Sequence, residues 1–260
     1  MSNEQKKYIN NVKFKKFIIF MFQIMISVVF IISWEFLARE EIINSFISSS
    51  PSKIVYTIID LFKNNNIFHH IWVTSYETII AFCITSILSF FISILLYESE
   101  FLSRVVDPYL TMFNSLPKVA LGPIIIIWIG ANTKSIVTMA VLISIIVSIQ
   151  TIFIGFKNTS QLKIKLLKTF KASKFQILLN AIIPENKKVI INSFKINISM
   201  CLIGVIMGEF LTSKAGIGYL ILYGTQVFNL DLVMSGIILL LFLSIFMYKV
   251  ISLLEKHLDK

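Results

Sequence analysis

SIVTMAVLISIIVSIQTIFIGF, residues 135–156, runs directly into KNTSQLKIKLLKTFKASKFQILLNAIIPENKK, residues 157–188. The first stretch is twenty-two residues without a charge, enough helix to cross a hydrocarbon core of about 30 Å. The second carries eight lysines. A run that apolar is suited to lipid, and the lysines beyond it mark an end that stays in water. The fold class turns on that junction.

Working outward, four more runs are long and predominantly apolar: Phe17–Leu37, Ser75–Tyr97, Phe194–Leu211 and Leu232–Ile251. A sixth, Tyr109–Gly130, is interrupted by Asn114, Pro117, Lys118 and Pro123, yet ends in IIIIWI. With their flanks, six spans are predicted near 17–37, 75–97, 107–130, 135–156, 190–211 and 231–252. They form one transmembrane domain over 17–255, preceded by a polar tail, 1–16. The chain is 56% hydrophobic and only 15% charged, well above the apolar share of soluble domains. The expectation is an all-α membrane protein.

The net charge of +10 suggests nucleic acid until its placement is considered. With both termini inside, the inner segments hold sixteen basic residues: Lys6, Lys7, Lys13, Lys15, Lys16, Arg104, the eight of 157–188, Lys256 and Lys260. The outer segments hold five: Arg39, Lys53, Lys63, Lys134 and Lys214. Lys and Arg concentrate on the cytoplasmic side of membrane proteins, so the basic balance is a topology signal. The first apolar run is too long and lysine-flanked for an ordinary cleaved signal, and is expected to be retained.

Between the first two spans, Ser50 is placed to cap a helix beginning at Pro51, where the missing N–H costs nothing. Ile54, Val55, Ile58, Ile59 and Phe62 give that helix an apolar face, and Asn64-Asn65-Asn66 ends it. The segment 97–108, YESEFLSRVVDP, is predicted as a short inside loop. Adjacent His69 and His70 point to different helix faces, so no metal is expected. Cys83 and Cys201 fall inside spans and read as small core residues rather than a disulfide. Trp34, Trp72 and Trp128 lie near span ends, as interfacial anchors do.

The inside island has structure of its own. Ile164, Leu167 and Phe170 recur three apart among lysines, predicting a short amphipathic helix with one apolar stripe. Ser173-Lys174-Phe175-Gln176 is a capping box that opens a second helix. That helix runs through Leu178, Leu179 and Ile182 until Pro184 stops or kinks it. A basic inside loop or an anionic-lipid contact accounts for the lysines. Neither accounts for two capped helices with apolar stripes, a pattern that favours a docking partner.

On these residues the chain resembles the permease subunits of bacterial binding-protein-dependent ABC importers of the nitrate/sulfonate/taurine type. Their cytoplasmic loop reads Glu-Ala-Ala, three residues, Gly, nine residues, Ile, one residue, Leu-Pro. Aligned on Ala172-Ser173 and Pro184, the glutamate position is Lys165, the alanines Leu166 and Leu167, the glycine Lys171, and Leu-Pro is Ile183-Pro184. NSLPKVALGPIIIIWIGANTKS (114–135) and GEFLTSKAGIGYLI (208–221) are similar to two further blocks of that group, in the same order. The resemblance covers about Ser50 to the C-terminus. It departs at the lost glutamate and alanines and at Lys171, where a left-handed turn at a non-glycine costs on the order of 1 kcal/mol.

The resemblance implies a type I ABC importer permease fold with a cytoplasmic coupling helix, in the bacterial plasma membrane. Two permease chains, expected to be a homodimer, enclose the path. Leu167, Phe170, Lys171, Ala172, Ser173, Phe175 and Gln176 form the contact with a cytoplasmic ATPase subunit. A soluble binding protein delivers a small solute, anionic in much of the group, or a pyrimidine precursor of thiamine. There is no G-x-x-x-x-G-K-[ST] phosphate loop here, so ATP and Mg are expected in the partner ATPase. No catalytic residue and no cofactor are expected in this chain.

Polar residues inside apolar spans usually face the protein interior or a cavity. Asn114, Ser115, Pro117, Lys118 and Glu209 are therefore the candidate path residues. Lys118 in a broken helix either presents positive charge to an anion or snorkels to the inner interface. Asn114 and Ser115 are expected to satisfy backbone groups freed by Pro117. Glu209 is expected to bond the Gly216–Gly218 turn or gate the outer mouth, with structure the stronger claim. Two rivals remain, an ion-coupled secondary transporter and a non-transporting membrane scaffold. The first calls for paired intramembrane carboxylates or an inverted repeat, neither of which is visible in the sequence. The second has no need of polar residues in its spans.

Overall fold

The computed structural model describes residues 3–43, 49–64 and 67–258, and these are helical with no strand among them. The chain divides into two compact units, residues 1–65 with 224–235, and residues 66–223 with 236–260.

In the first unit, α1 runs from Asn3 to Arg39 and α2 from Pro51 to Asn64. The predicted tail 1–16 is thus not a separate segment. Its Lys, Glu and Gln residues are good helix formers, and they continue the apolar run without a break. Ser50 accepts the Lys53 N–H at 3.3 Å, the cap expected for α2. A second acceptor comes from α1, where Glu35 takes the Ser52 N–H at 3.0 Å and the Ser52 hydroxyl at 2.7 Å. A carboxylate at a helix N-terminus satisfies orphan donors and complements the dipole, which joins α2 to α1. Residues 65 and 66 of the asparagine run lie outside the described residues.

The second unit holds α3 (Ile67–Glu98), α4 (Glu100–Ser115), a 3-10 turn (Lys118–Leu121), α5 (Gly122–Ile129), α6 (Thr133–Lys157), α7 (Gln161–Thr169), α8 (Lys174–Ile177) and α9 (Lys187–Thr212). After them come α10 (Ile217–Gln226) and α11 (Leu230–Leu258). α6 is central, packed chiefly on α9 and α3. Gly204 and Gly208 of α9 make this close. A Cβ on Gly204 would collide with the Ala140 backbone of α6, and one on Gly208 would lie 2.9 Å from the Ile136 Cα. Small residues four apart let helices approach where lipid gives no hydrophobic drive. Polar pairs add to the contact: Thr85 with Ser144 at 3.0 Å, Asn197 with Ser86 at 2.8 Å, and Ser93 with the Ile149 carbonyl at 3.1 Å.

Among the described residues, five helices are long and apolar enough to cross a membrane: Val12–Arg39, Ile67–Glu98, Thr133–Lys157, Lys187–Thr212 and Leu230–Leu253. The sixth segment, α4 with the 3-10 turn and α5, is bent by 87°. Two sequence expectations change. The inside loop 97–108 is helical except at Ser99, whose hydroxyl accepts the Leu102 N–H at 3.2 Å and so starts α4 at once. Cys201 is buried among Ser144 and Asn197, but Cys83 is exposed on the outer face of α3 and is not a core residue.

Candidate functional site

The loop between α6 and α9 is built around a left-handed residue. α7 ends with the Lys171 N–H on the Lys168 carbonyl at 2.9 Å and the Ala172 N–H on the Leu167 carbonyl at 3.1 Å. Those two bonds define a Schellman motif, and Lys171 is its positive-φ residue at 56°. The side chain takes the conformation glycine adopts freely. Ser173 and Gln176 then close the capping box, the Ser173 N–H donating to the Gln176 side-chain oxygen at 2.8 Å and the Gln176 N–H to the Ser173 hydroxyl at 3.2 Å.

The apolar stripe is divided by this geometry. Ile164 is 7% exposed, in a cluster with Ile152, Phe156, Ile177, Leu178, Ile182 and Ile190, and Leu167 and Ala172 pack against the same cluster. Leu167, half-buried, packs toward its own bundle, because it lies one turn from Ile164 on the same side of α7. Phe170 follows the last turn of α7 and projects outward, 74% exposed, with Phe175 at 64%. These two are the outward aromatic rings of the turn; Leu162 and Leu166 of α7 are exposed beside them.

Behind them the sequence reading missed a brace. Glu185 accepts the Ser160 N–H at 3.1 Å and pairs with Lys163 at 3.2 Å. Buried Asn186 donates to the Thr159 hydroxyl at 2.7 Å and the Ile182 carbonyl at 2.9 Å. A π turn over Leu178–Ile182 precedes Pro184, giving the extra residue that accommodates a proline within a nearly continuous helix. The Ser160 N–H, and after it Lys163, hold the Glu185 carboxyl below its ordinary value of 4.5. A depressed carboxyl contributes stability above its unfolded pKa and loses it as pH falls through the folded value. The brace is expected to be unchanged from pH 8 to 5.5 and to loosen below about pH 4.5. Hydrogen exchange of the Ser160 amide reads this, with Glu185→Gln already loose at pH 7.

At the bend, Ser115 donates to the Met112 carbonyl at 2.8 Å and so satisfies the end of α4. Lys118 Nζ reaches across the break to Asn114 Oδ1 at 3.3 Å. Asn114, Ser115 and Pro117 are exposed in the single chain and Lys118 is half-buried.

Glu209 lies elsewhere, fully buried on α9. Its carboxylate accepts the Thr74 hydroxyl at 2.6 Å and the Gly218 N–H at 2.6 Å. Thr74 in turn accepts the Ile217 N–H at 2.8 Å, and His70 Nδ1 accepts the Gly216 N–H at 3.0 Å. The orphan donors at the start of α10 are thus capped by side chains from α9 and α3. Gly216, at φ 111°, and Gly218 allow this, since a Cβ on either would strike the Glu209 carboxyl. Glu77 of α3, 2% exposed, neighbours both Glu209 and Thr133. The sequence reading overlooked this carboxylate pair. The available signal was one acid two residues into the predicted Ser75–Tyr97 span. Lys195, inside the fifth span and paired with Glu255, was missed in the same way. Among the described residues no group of acids, histidines and cysteines is arranged to hold a metal.

The family model for binding-protein-dependent transport system inner membrane components matches residues 86–260. The chain is 26% identical over 232 residues to a probable ABC transporter permease protein of Haemophilus influenzae, covering 86% of this chain and 91% of that one. It is 28% identical to the formylaminopyrimidine transport permease ThiX of Halalkalibacterium halodurans, over 72% of this chain and 74% of that one. Against the aliphatic sulfonates permease SsuC of Bacillus subtilis, identity is 22% over 91% and 86%. Among solved structures, an inward-facing MetNI methionine ABC transporter superposes with a TM-score of 0.56 at 16% identity, over 70% of this chain and 94% of that one. That likeness is one of fold.

Proposed function

The chain belongs to the family of binding-protein-dependent transport system inner membrane components, and we propose that it couples ATP hydrolysis in a separate subunit to movement of a small solute through a path shared by two copies of itself. It is a multi-pass permease subunit of an ABC importer, a class that works with an ATPase and a solute-binding protein. The observation that supports the coupling role is the rigid turn presenting Phe170 and Phe175 to the outside. A fixed pair of aromatic rings suits a groove in a partner, while ATP and Mg act in that partner.

The names of the relatives refer to sulfonates, taurine, formylaminopyrimidine and riboflavin. We take the cargo to be small and polar, with an anionic solute or a pyrimidine as the leading classes. The Glu77–Glu209 pair is the feature an ion-coupled carrier would also have. Glu209 is occupied with the start of α10, which favours the importer reading.

Changing Phe170 and Phe175 together to Asp is expected to reduce co-purification with the Walker-motif ATPase about tenfold or more, the scale of a lost hot spot. Helicity should be unchanged because both rings are exposed. Association at the wild-type level would sink the docking role.

A further inference from the structure

A cavity of about 390 Å³ lies between α3, the turn ahead of α6 and the α9–α10 connection. That size falls at the lower end for small-molecule sites. Glu77 lines it, and its Oε2 is buried with no hydrogen-bond partner among the described residues. A buried acceptor without a donor is costly, and more so when charged.

The other polar groups of the wall show what is missing. Asn132 spends its amide on the Ile129 carbonyl at 3.0 Å, and its oxygen on the Lys134 and Ser135 N–H groups at 2.8 and 3.4 Å. Thr212 donates to the Gly208 carbonyl at 3.3 Å, Ser213 donates to the Ala215 carbonyl, and Thr133 is engaged with Glu77. The amide and hydroxyl donors of these wall side chains are thus already committed. Lys214 also lines the cavity, but its side chain is exposed. The uncommitted capacity of the floor is therefore for accepting hydrogen bonds, with a carboxylate at its centre.

We propose that this cavity is a binding site for the primary-ammonium group of a small solute, with Glu77 as its acceptor. Naming that solute as cargo rests on the permease reading; the binding itself does not. An ammonium brings donors and positive charge together, and charge-assisted hydrogen bonds are the strong ones. It supplies what Glu77 lacks without disturbing Glu209, whose oxygens hold Thr74 and Gly218. The site selects a feature that an anion-selecting path does not.

The test uses the full chain in lipid nanodiscs, with ethylammonium and propionate as probes and the thermal unfolding midpoint as readout. Ethylammonium should raise the midpoint saturably, as a ligand of the folded state does. Half-saturation is expected on the order of millimolar, the ceiling for three heavy atoms. Propionate should not raise it. Glu77→Gln should move half-saturation up about tenfold, whereas Glu77→Asp and Lys214→Gln should still respond. An equal response to propionate, no response to ethylammonium, or a wild-type response in Glu77→Gln would overturn the site. If Glu77→Gln fails to fold, the comparison of the two probes on the native chain decides alone. Ammonium binding in a chain that never associates with an ATPase would remove the importer reading and leave this one standing.

Discussion

Gly204→Val is expected to stop the chain accumulating in folded form. The new Cβ would occupy the position of the Ala140 backbone, which has no rotamer by which to yield. Overpacking of a close-packed interior costs about 1–3 kcal/mol or more, and here the contact is between the two helices that form the centre of the unit. The measurement is detergent-extracted yield and monodispersity, with Gly204→Ala as the graded control. Alanine should give an intermediate, thermally weakened protein. A valine variant as stable as the parent would mean that α6 and α9 do not meet at this point. Ile203→Val, one residue away on the exposed side, should have little effect.

The second large effect is at Glu209. Glu209→Leu keeps much of the volume and removes the acceptors, leaving the Gly218 N–H and the Thr74 hydroxyl buried without partners. At about 1–3 kcal/mol for each orphaned group, the expected loss is roughly 3 kcal/mol or more, seen as a fall of several degrees in the unfolding midpoint. Glu209→Gln retains one oxygen and should lose less than half as much. The pair of variants separates two roles for this residue. A gate or a substrate contact would lower transport in both variants with the midpoint unmoved, whereas a cap on α10 moves the midpoint in the order Leu, then Gln.

The sequence was legible where one physical rule dominated. Length and predominantly apolar composition marked the long spans, because a segment crossing lipid must satisfy its own backbone and present mostly apolar side chains. The capping box at Ser173 and the cap at Ser50 could be read directly, because each is a local hydrogen-bond pattern. Legibility failed where the decisive partner is distant in the chain. Nothing near Leu167 says that it faces inward and Phe170 outward; that depends on where Ile152 and Ile190 lie. Glu77 drew no reading as a single acid in an apolar run; only the fold sets it beside Glu209 and Thr133. The segment 97–108 failed for another reason, since its charges suggested a loop while Ser99 and Glu100 begin a helix.

The apolar cluster beneath α7 has a mechanical consequence. It is one solid body made from α6, α7, the π turn and α9, and close-packed interiors have low compressibility. If Phe170 docks as proposed, a push on its turn would pass through this body to α6 and α9 rather than be absorbed as local deformation. The stiffness of that wedge would then set how much of a partner's stroke reaches the far ends of α6 and α9. Truncating Ile164, buried inside the cluster, would act like slack in a linkage: docking would persist while the stroke was lost.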